Sequence, residues 1–280
     1  MSPEEVEFCL SCKSVSELTD QQAAELIRQV SPQVVREINH FTKVVFRTRG
    51  GRLGSGMGLL LEGLWGYYTS RELDDYGIEI SWIAEDQYND YAVTKSDSDW
   101  DPATCEGELL RIEAKTMNLG ADEVKGHFAE LERNIAENDL LLILLWRWTP
   151  LDETHYVTPQ IVDVLLERAK PIAQLRDKLH LARGGSFVES SCCPDGCDPT
   201  VCSHDGEPLN AAGKRERVTG PESTRPSLRV SFASNFGGLK RMLGGRSIAA
   251  REIREQFAER EPVARRYIDF MQQDRIPDDA

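Results

Sequence analysis

A carboxylate and a lysine flank a small residue at Glu113-Ala114-Lys115, in a segment of β-forming residues. Successive side chains of a strand point to opposite faces, so Glu113 and Lys115 share one face. With a second carboxylate, Glu113 can hold Mg²⁺, which polarises a phosphodiester and activates water. Lys115 can orient that water and stabilise the developing negative charge. The pattern predicts a metal-dependent phosphodiesterase site, and the alternative is a pair of solvated charges on an exposed strand face.

The second carboxylate is expected on a neighbouring strand. Antiparallel pairing of residues 90–95 with residues 108–113 places Asp90 opposite Glu113. A tighter register would instead select an aspartate of the connecting loop, and the candidates there are Asp97, Asp99 and Asp101. Glu62, on the preceding predicted helix, can face the same site and complete the metal shell or bind a metal-bound water.

The elements that position these residues follow from hydrophobic periodicity and turn signals. We expect two N-terminal helices, the second beginning at Ser31-Pro32, and a glycine-rich loop at 49–58. The elements expected next are a helix at 59–73, strands at 78–83, 90–95 and 108–116, a helix at 122–137, and a buried strand at 140–148. This order predicts an α/β fold with helices packed on a mixed central sheet.

The expected elements follow one another as a helix carrying Glu62, a strand opened by Asp90, a strand with Glu113-Ala114-Lys115, a helix and an apolar strand. This order resembles the PD-(D/E)XK nuclease superfamily. Many restriction endonucleases belong to that superfamily, and the resemblance covers about residues 56–148, with Asn89 where the motif has proline. The resemblance implies a restriction-endonuclease-like αβββαβ core. It also implies Mg²⁺ held by Asp90 and Glu113, hydrolysis aided by Lys115, and a supporting role for Glu62.

The activity implied by this resemblance is Mg²⁺-dependent hydrolysis of double-stranded DNA, as in a type II restriction endonuclease. A repair or phage-defence nuclease of the same superfamily fits the same residues, because fold does not decide substrate. A noncatalytic, zinc-containing DNA-binding protein is the alternative from another class.

A cysteine-rich segment at 192–204 places four thiols and one imidazole among Pro and Gly residues. Cys193, Cys197, Cys202 and His204 can close a tetrahedral structural Zn²⁺ site, with Cys192 able to replace its neighbour. A reduced loop without metal is an equally open interpretation.

A basic segment stands out from the acidic chain. Residues 214–254 carry 10 Lys/Arg against 3 Asp/Glu, whereas the whole chain has a net charge of −14. Such a segment suits contact with DNA phosphates and with guanine edges. The side chains predicted to contact DNA are Lys125, Lys214, Arg215, Arg217, Arg225, Arg229, Lys240 and Arg241.

The chain has 280 residues, of which 40% are hydrophobic and 29% charged, so a largely disordered chain is excluded. Its apolar runs are far shorter than the roughly 20 residues of a membrane helix, and the start lacks signal-peptide features, so we expect a cytoplasmic protein.

We expect an N-terminal helical segment at 1–55 and a catalytic core at 56–150. A C-terminal region at 151–280 adds the cysteine-rich segment, the basic segment and charged helices, broken near Pro262, that pack on the body or support a homodimer.

Overall fold

The computed structural model describes residues 18–48, 54–83, 88–120, 126–151, 155–189, 198, 200–201, 203–210, 215–218, 227–230, 232–233, 236–244 and 248–273. The chain divides into two compact units. Unit 1 comprises Met1–Gly126 and Ala136–Ala169, and unit 2 comprises His127–Ile135 and Lys170–Ala280. Within the described residues, no helix has the length and apolar character needed to cross a membrane.

Unit 1 begins with one long helix, α1 (Asp20–Val45), where two helices were predicted. Thr19 caps it: its side chain accepts a hydrogen bond from the Gln22 backbone, and the Gln22 side chain accepts one from Thr19 N–H. Pro32 lies inside the helix, at a cost of about 3 kcal/mol. Ile27 and Val34 are fully buried on either side of it. Each buried side chain of this size stabilises by about 1.5–3 kcal/mol, which offsets the cost of the proline.

The second helix, α2 (Gly54–Leu73), carries Glu62 and is followed by a 3₁₀ turn (Asp74–Tyr76). The glycine-rich segment expected as a loop is helical from Gly54 onward, so that prediction is wrong for residues 54–58. Asn39 of α1 bonds both backbone polar groups of Ile161, donating to its carbonyl and accepting from its N–H at 2.8 Å each. This amide fixes α1 on the sheet.

Five strands in the described part of unit 1 form one mixed sheet. They are β1 (Ile78–Trp82), β2 (Tyr91–Lys95), β3 (Glu108–Asn118), β4 (Leu140–Pro150) and β5 (Val157–Arg168), in that spatial order. Strands β3 and β4 run parallel, and the other neighbours run antiparallel. The prediction of an α/β fold with a mixed central sheet is confirmed. Strand β5 was not predicted; its Pro159 is tolerated because β5 is an edge strand.

The helix predicted at 122–137 is wrong for the described residues 126–137. They contain only irregular backbone and a 3₁₀ turn (Glu132–Asn134), and residues 121–125 lie outside the described part. Backbone groups that a helix would satisfy internally are bonded within unit 2. Phe128 N–H donates to the Gly237 carbonyl, and the Phe128 carbonyl accepts from Arg176 Nη1, both at 2.8 Å. The second helix of the predicted αβββαβ core is therefore absent from the described crossover.

Unit 2 contains short strands and helices. Its elements are α3 (Ala169–Ala182), β6 (Ser186–Phe187), β7 (Pro208–Leu209), β8 (Arg215–Val218), β9 (Ser227–Val230), α4 (Leu239–Met242), α5 (Ile248–Arg260) and α6 (Pro262–Gln272). Strands β6 and β7 pair antiparallel, as do β8 and β9. The predicted break near Pro262 separates α5 from α6, and the Glu261 side chain caps α6 by accepting from Val263 N–H.

Candidate active site

Strand pairing brings Asp90 to Glu113. Tyr91 pairs with Ile112 and Ala92 with Arg111, so the position before Tyr91 lies opposite Glu113, and Asp90 N–H donates to the Ile112 carbonyl at 3.0 Å. This is the register expected from the sequence as far as Val93, but a bulge between Val93 and Thr94 pairs Thr94, and not Lys95, with Glu108. The alternatives Asp97, Asp99 and Asp101 lie in the loop at the other end of this hairpin, where Asp101 bridges to Glu106. The structure thus places Asp90, and not the loop aspartates, beside Glu113.

Lys115 lies between the two carboxylates. Its ammonium forms an ion pair with Glu113 Oε1, lies 3.6 Å from Asp90 Oδ2, and donates to the Ala114 carbonyl at 2.8 Å. Asp90 Oδ2 in turn accepts the Ala114 N–H at 2.7 Å. Strand alternation places Glu113 and Lys115 on one face, and these bonds fix the Asp90 carboxylate to the same strand.

Glu62 reaches the cluster from α2. Its Oε1 accepts from both the N–H and the hydroxyl of Thr116 at 3.1 Å, and the Tyr91 hydroxyl donates to the Glu62 carbonyl at 2.6 Å. Gly58 lies about one helical turn before Glu62 and Gly66 about one turn after it, and both lie close to the sheet. A Cβ on Gly58 would overlap Thr116 Oγ1, and one on Gly66 would lie 2.6 Å from the Tyr91 ring. Helix α2 can approach the sheet this closely because both positions lack side chains.

Burial and mutual repulsion change how the acids titrate. Glu113 is 6% exposed, and burial raises its pKa to about 7; Lys115 opposes this rise, and Asp90 adds to it. Burial also raises the pKa of Glu62, against the lowering effect of its bond from Thr116. Burial alone would lower the pKa of Lys115, but attraction to Glu113 and Asp90 raises it. Lys115 therefore stays protonated beside the carboxylates.

The oxygen atoms of this cluster fit a magnesium ion. Glu113 Oε2 is buried without a hydrogen-bond partner, and a cation would satisfy it. Among the described residues, no group of three or more His, Cys, Asp or Glu side chains is arranged to hold a metal ion. Mg²⁺ usually needs one or two carboxylates and keeps several waters, so Asp90 and Glu113 would suffice as protein ligands.

The other predicted site residues belong to other parts of the chain. Cys192, Cys193, Cys197 and Cys202 lie outside the described residues, and so do Lys125, Lys214 and Arg225. The His204 ring stacks on Phe232 with centroids 5.1 Å apart. Arg215 and Arg217 lie on β8, Arg229 lies on β9, and Lys240 and Arg241 lie on α4. The zinc site and the DNA contacts stay predictions.

Sequence reasoning missed the groups that hold the cluster in place. These are Thr116, which donates two hydrogen bonds to the Glu62 carboxylate, and Tyr91, whose hydroxyl donates to the Glu62 carbonyl. Gly58 and Gly66, each four residues from Glu62, were the available sequence signal, because residues at that spacing share one helix face.

Comparisons with known proteins add nothing to this geometry. The chain matches no protein-family model, no curated protein and no solved structure.

Proposed function

We propose that the protein is a Mg²⁺-dependent nuclease that hydrolyses phosphodiester bonds of double-stranded DNA, as PD-(D/E)XK nucleases do. The observation that carries the proposal is Lys115 between Asp90 and Glu113, with a buried Glu113 oxygen that lacks a hydrogen-bond partner. Solvated surface charges would not be buried in this way, and a structural ion pair would not need a second and a third carboxylate nearby.

Each residue has a role in this proposal. Asp90 and Glu113 hold Mg²⁺, which when bound polarises the phosphodiester and lowers the pKa of water. Lys115, kept protonated by its two carboxylates, orients the attacking water and stabilises charge that develops on the phosphoryl oxygens. Burial raises the pKa of Glu62, which makes its carboxylate a stronger base toward a proton of the attacking water than an ordinary glutamate.

DNA is proposed as the substrate because of charge distribution. Residues 214–254 supply 10 Lys/Arg against 3 Asp/Glu, although the chain as a whole is acidic. A basic segment joined to a phosphodiesterase site provides the sequence-independent attraction that DNA binding needs. Within this proposal the role is that of a type II restriction endonuclease, and a repair or phage-defence nuclease would share the site but differ in its products.

The test is incubation of the full chain with several unmethylated plasmids in Mg²⁺ and, in parallel, in EDTA. Discrete fragments that form only with Mg²⁺ support a restriction endonuclease. Nicked or degraded DNA that forms only with Mg²⁺ supports a nuclease with another role. Intact DNA on all templates, or equal cleavage in EDTA, would contradict the proposal.

Mg²⁺ is also expected to stabilise the fold. At ten times its Kd, Mg²⁺ adds about 1.4 kcal/mol to the free energy of unfolding, which raises the Tm by about 3–5 °C in a chain of this size. The shift should be larger at pH 8 than at pH 6, because Glu113, with a pKa of about 7, must lose its proton to bind metal. Thermal unfolding followed by circular dichroism measures both effects.

Without metal, a rise in pH is expected to lower the stability of the fold. A carboxyl whose pKa is raised by folding contributes stability below its unfolded pKa and loses it as the pH rises through the folded value. In EDTA the Tm should therefore fall between pH 6 and pH 8. Glu113→Gln, which keeps the shape but cannot ionise, should lose the pH step and the Mg²⁺ shift; an unchanged Mg²⁺ shift in this variant would exclude Glu113 as a ligand.

A further inference from the structure

A pocket of about 210 Å³ in unit 2 is lined by basic side chains. The polar residues around it are Arg176, His180, Arg183, Asn210 and Arg241, and Phe236 forms part of its wall. No Asp or Glu is among its described lining residues. Asp177 balances Arg176, since its Oδ1 lies 2.7 Å from Arg176 Nη2, so it is the positive charge of Arg183 that indicates an anion as the ligand of this concave site.

Arg176 forms a rigid part of this pocket. It is 1% exposed, its Nη1 donates to the Phe128 carbonyl, and its Nε donates to Asp177 Oδ1, both at 2.8 Å. Its guanidinium lies 4.2 Å from the centre of the Phe236 ring. The His180 ring packs edge-on against Phe236 with centroids 5.1 Å apart. These contacts hold the wall of the pocket before any ligand binds, which reduces the entropy lost on binding.

Arg183 brings positive charge that no described carboxylate compensates. Its guanidinium donates a hydrogen bond to the Met242 carbonyl. Arg254 donates to the carbonyl of the next residue, Leu243, at 2.5 Å, and its positive charge repels that of Arg183. Burial lowers the pKa of Arg183, and repulsion from Arg254 lowers it further. The described groups thus supply repulsion and no carboxylate to Arg183, and an anion in the pocket would balance its charge.

We propose that this pocket binds a phosphate monoester group, as found at the end of a nucleotide or of a 5′-phosphorylated DNA strand. Guanidinium forks match phosphate oxygens in geometry, and a phosphate dianion balances more than one arginine. The volume is below the roughly 300–1,000 Å³ of sites that enclose whole small molecules, so the pocket suits a terminal group. The pocket lies within unit 2 and contains none of the residues proposed to bind the metal. Phosphate binding there is therefore independent of the proposed nuclease activity.

The test measures binding by the full chain in EDTA, where no metal-dependent cleavage can intervene. Fluorescence anisotropy compares a 3′-labelled DNA duplex bearing a 5′-phosphate with the same duplex bearing a 5′-hydroxyl. We expect at least about tenfold tighter binding of the phosphorylated duplex, and loss of that preference in Arg183→Gln. The matched control is Arg265→Gln, because Arg265 is exposed on α6 of the same unit, outside residues 214–254 and outside the pocket lining; it should keep the preference.

Inorganic phosphate distinguishes the two sources of the ligand. If it competes for the labelled duplex and raises the Tm of the native chain but not of Arg183→Gln, the pocket accepts free phosphate as well as DNA ends. If it does neither while the 5′-phosphate preference persists, the pocket requires the nucleotide. Equal binding of both duplexes together with no effect of phosphate on the Tm would overturn the proposal, and so would an equal loss in Arg265→Gln. Arg183→Lys, which keeps the charge, provides a second variant if Arg183→Gln does not fold.

Discussion

Lys115→Met is expected to lower the rate of Mg²⁺-dependent DNA cleavage by roughly 10³-fold. Methionine keeps the length and much of the volume of lysine but removes the ammonium that lies between Asp90 and Glu113. A group that stabilises charge developing in the transition state contributes about 10²–10³-fold to catalysis. The measurement is the initial rate of plasmid cleavage under single-turnover conditions, so that product release does not mask the chemical step.

The same substitution also affects stability, and this must be separated from catalysis. Removing one partner of a buried ion pair costs about 3–5 kcal/mol, because the remaining carboxylates lose their counter-charge. If Mg²⁺ binds as proposed, it would supply positive charge to the same carboxylates, so the Tm deficit of Lys115→Met should shrink when Mg²⁺ is added. A variant that is folded in Mg²⁺ by circular dichroism and still cleaves slowly has lost catalysis and not structure.

Lys95→Met is the matched control, because Lys95 lies on β2 of the same sheet, at the end of the hairpin away from Asp90. It should cleave within about twofold of the native chain if only the ammonium of the cluster matters. Cleavage by Lys115→Met at the native rate would remove Lys115 from the mechanism. Equal losses in both lysine variants would indicate a general effect of charge on DNA binding.

The hairpin that carries Asp90 and Glu113 could be predicted from sequence because its determinants are local. Period-two alternation fixes which side chains share a face, and the length of the connecting loop limits the register. The observed pairing of Tyr91 with Ile112 follows from these constraints. Strand β4 was predicted for a similar reason, since a continuous apolar run such as Leu140–Leu145 suits a strand buried on both faces.

The failures involve partners that are distant in sequence. Phe128 and Ile135 have helical spacing, yet Phe128 bonds to Gly237 and Arg176, so tertiary contacts override the local pattern. The proline in α1 predicts a helix boundary, but burial on both sides keeps the helix continuous. The close approach of α2 to the sheet depends on which residues lie opposite Gly58 and Gly66, which sequence spacing alone does not reveal.

Gly66→Ala is expected to destabilise the protein although alanine favours helices. The added Cβ would lie 2.6 Å from the Tyr91 ring, and that ring is fully buried between Trp65 and Trp82, with centroids 5.8 and 4.4 Å away. Overpacking of this kind costs about 1–3 kcal/mol, against a gain in helix propensity of about 1 kcal/mol. The net expectation is a free energy of unfolding lower by up to about 2 kcal/mol, measured by urea denaturation.

Gly58→Ala acts at the other side of Glu62 and should affect cleavage more than stability. Its Cβ would overlap Thr116 Oγ1, which can rotate away, but the rotation breaks the bond from the Thr116 hydroxyl to Glu62. We expect at least about tenfold slower cleavage, because misplacement of a catalytic group by about 1 Å can cost 10²-fold.

Gly63→Ala is the control on the same helix: its Cβ would lie 3.7 Å from Trp82, an ordinary contact. It should stabilise α2 by about 0.5–1 kcal/mol and leave cleavage unchanged. If Gly58→Ala and Gly66→Ala behaved like Gly63→Ala, close helix packing would not be what positions Glu62.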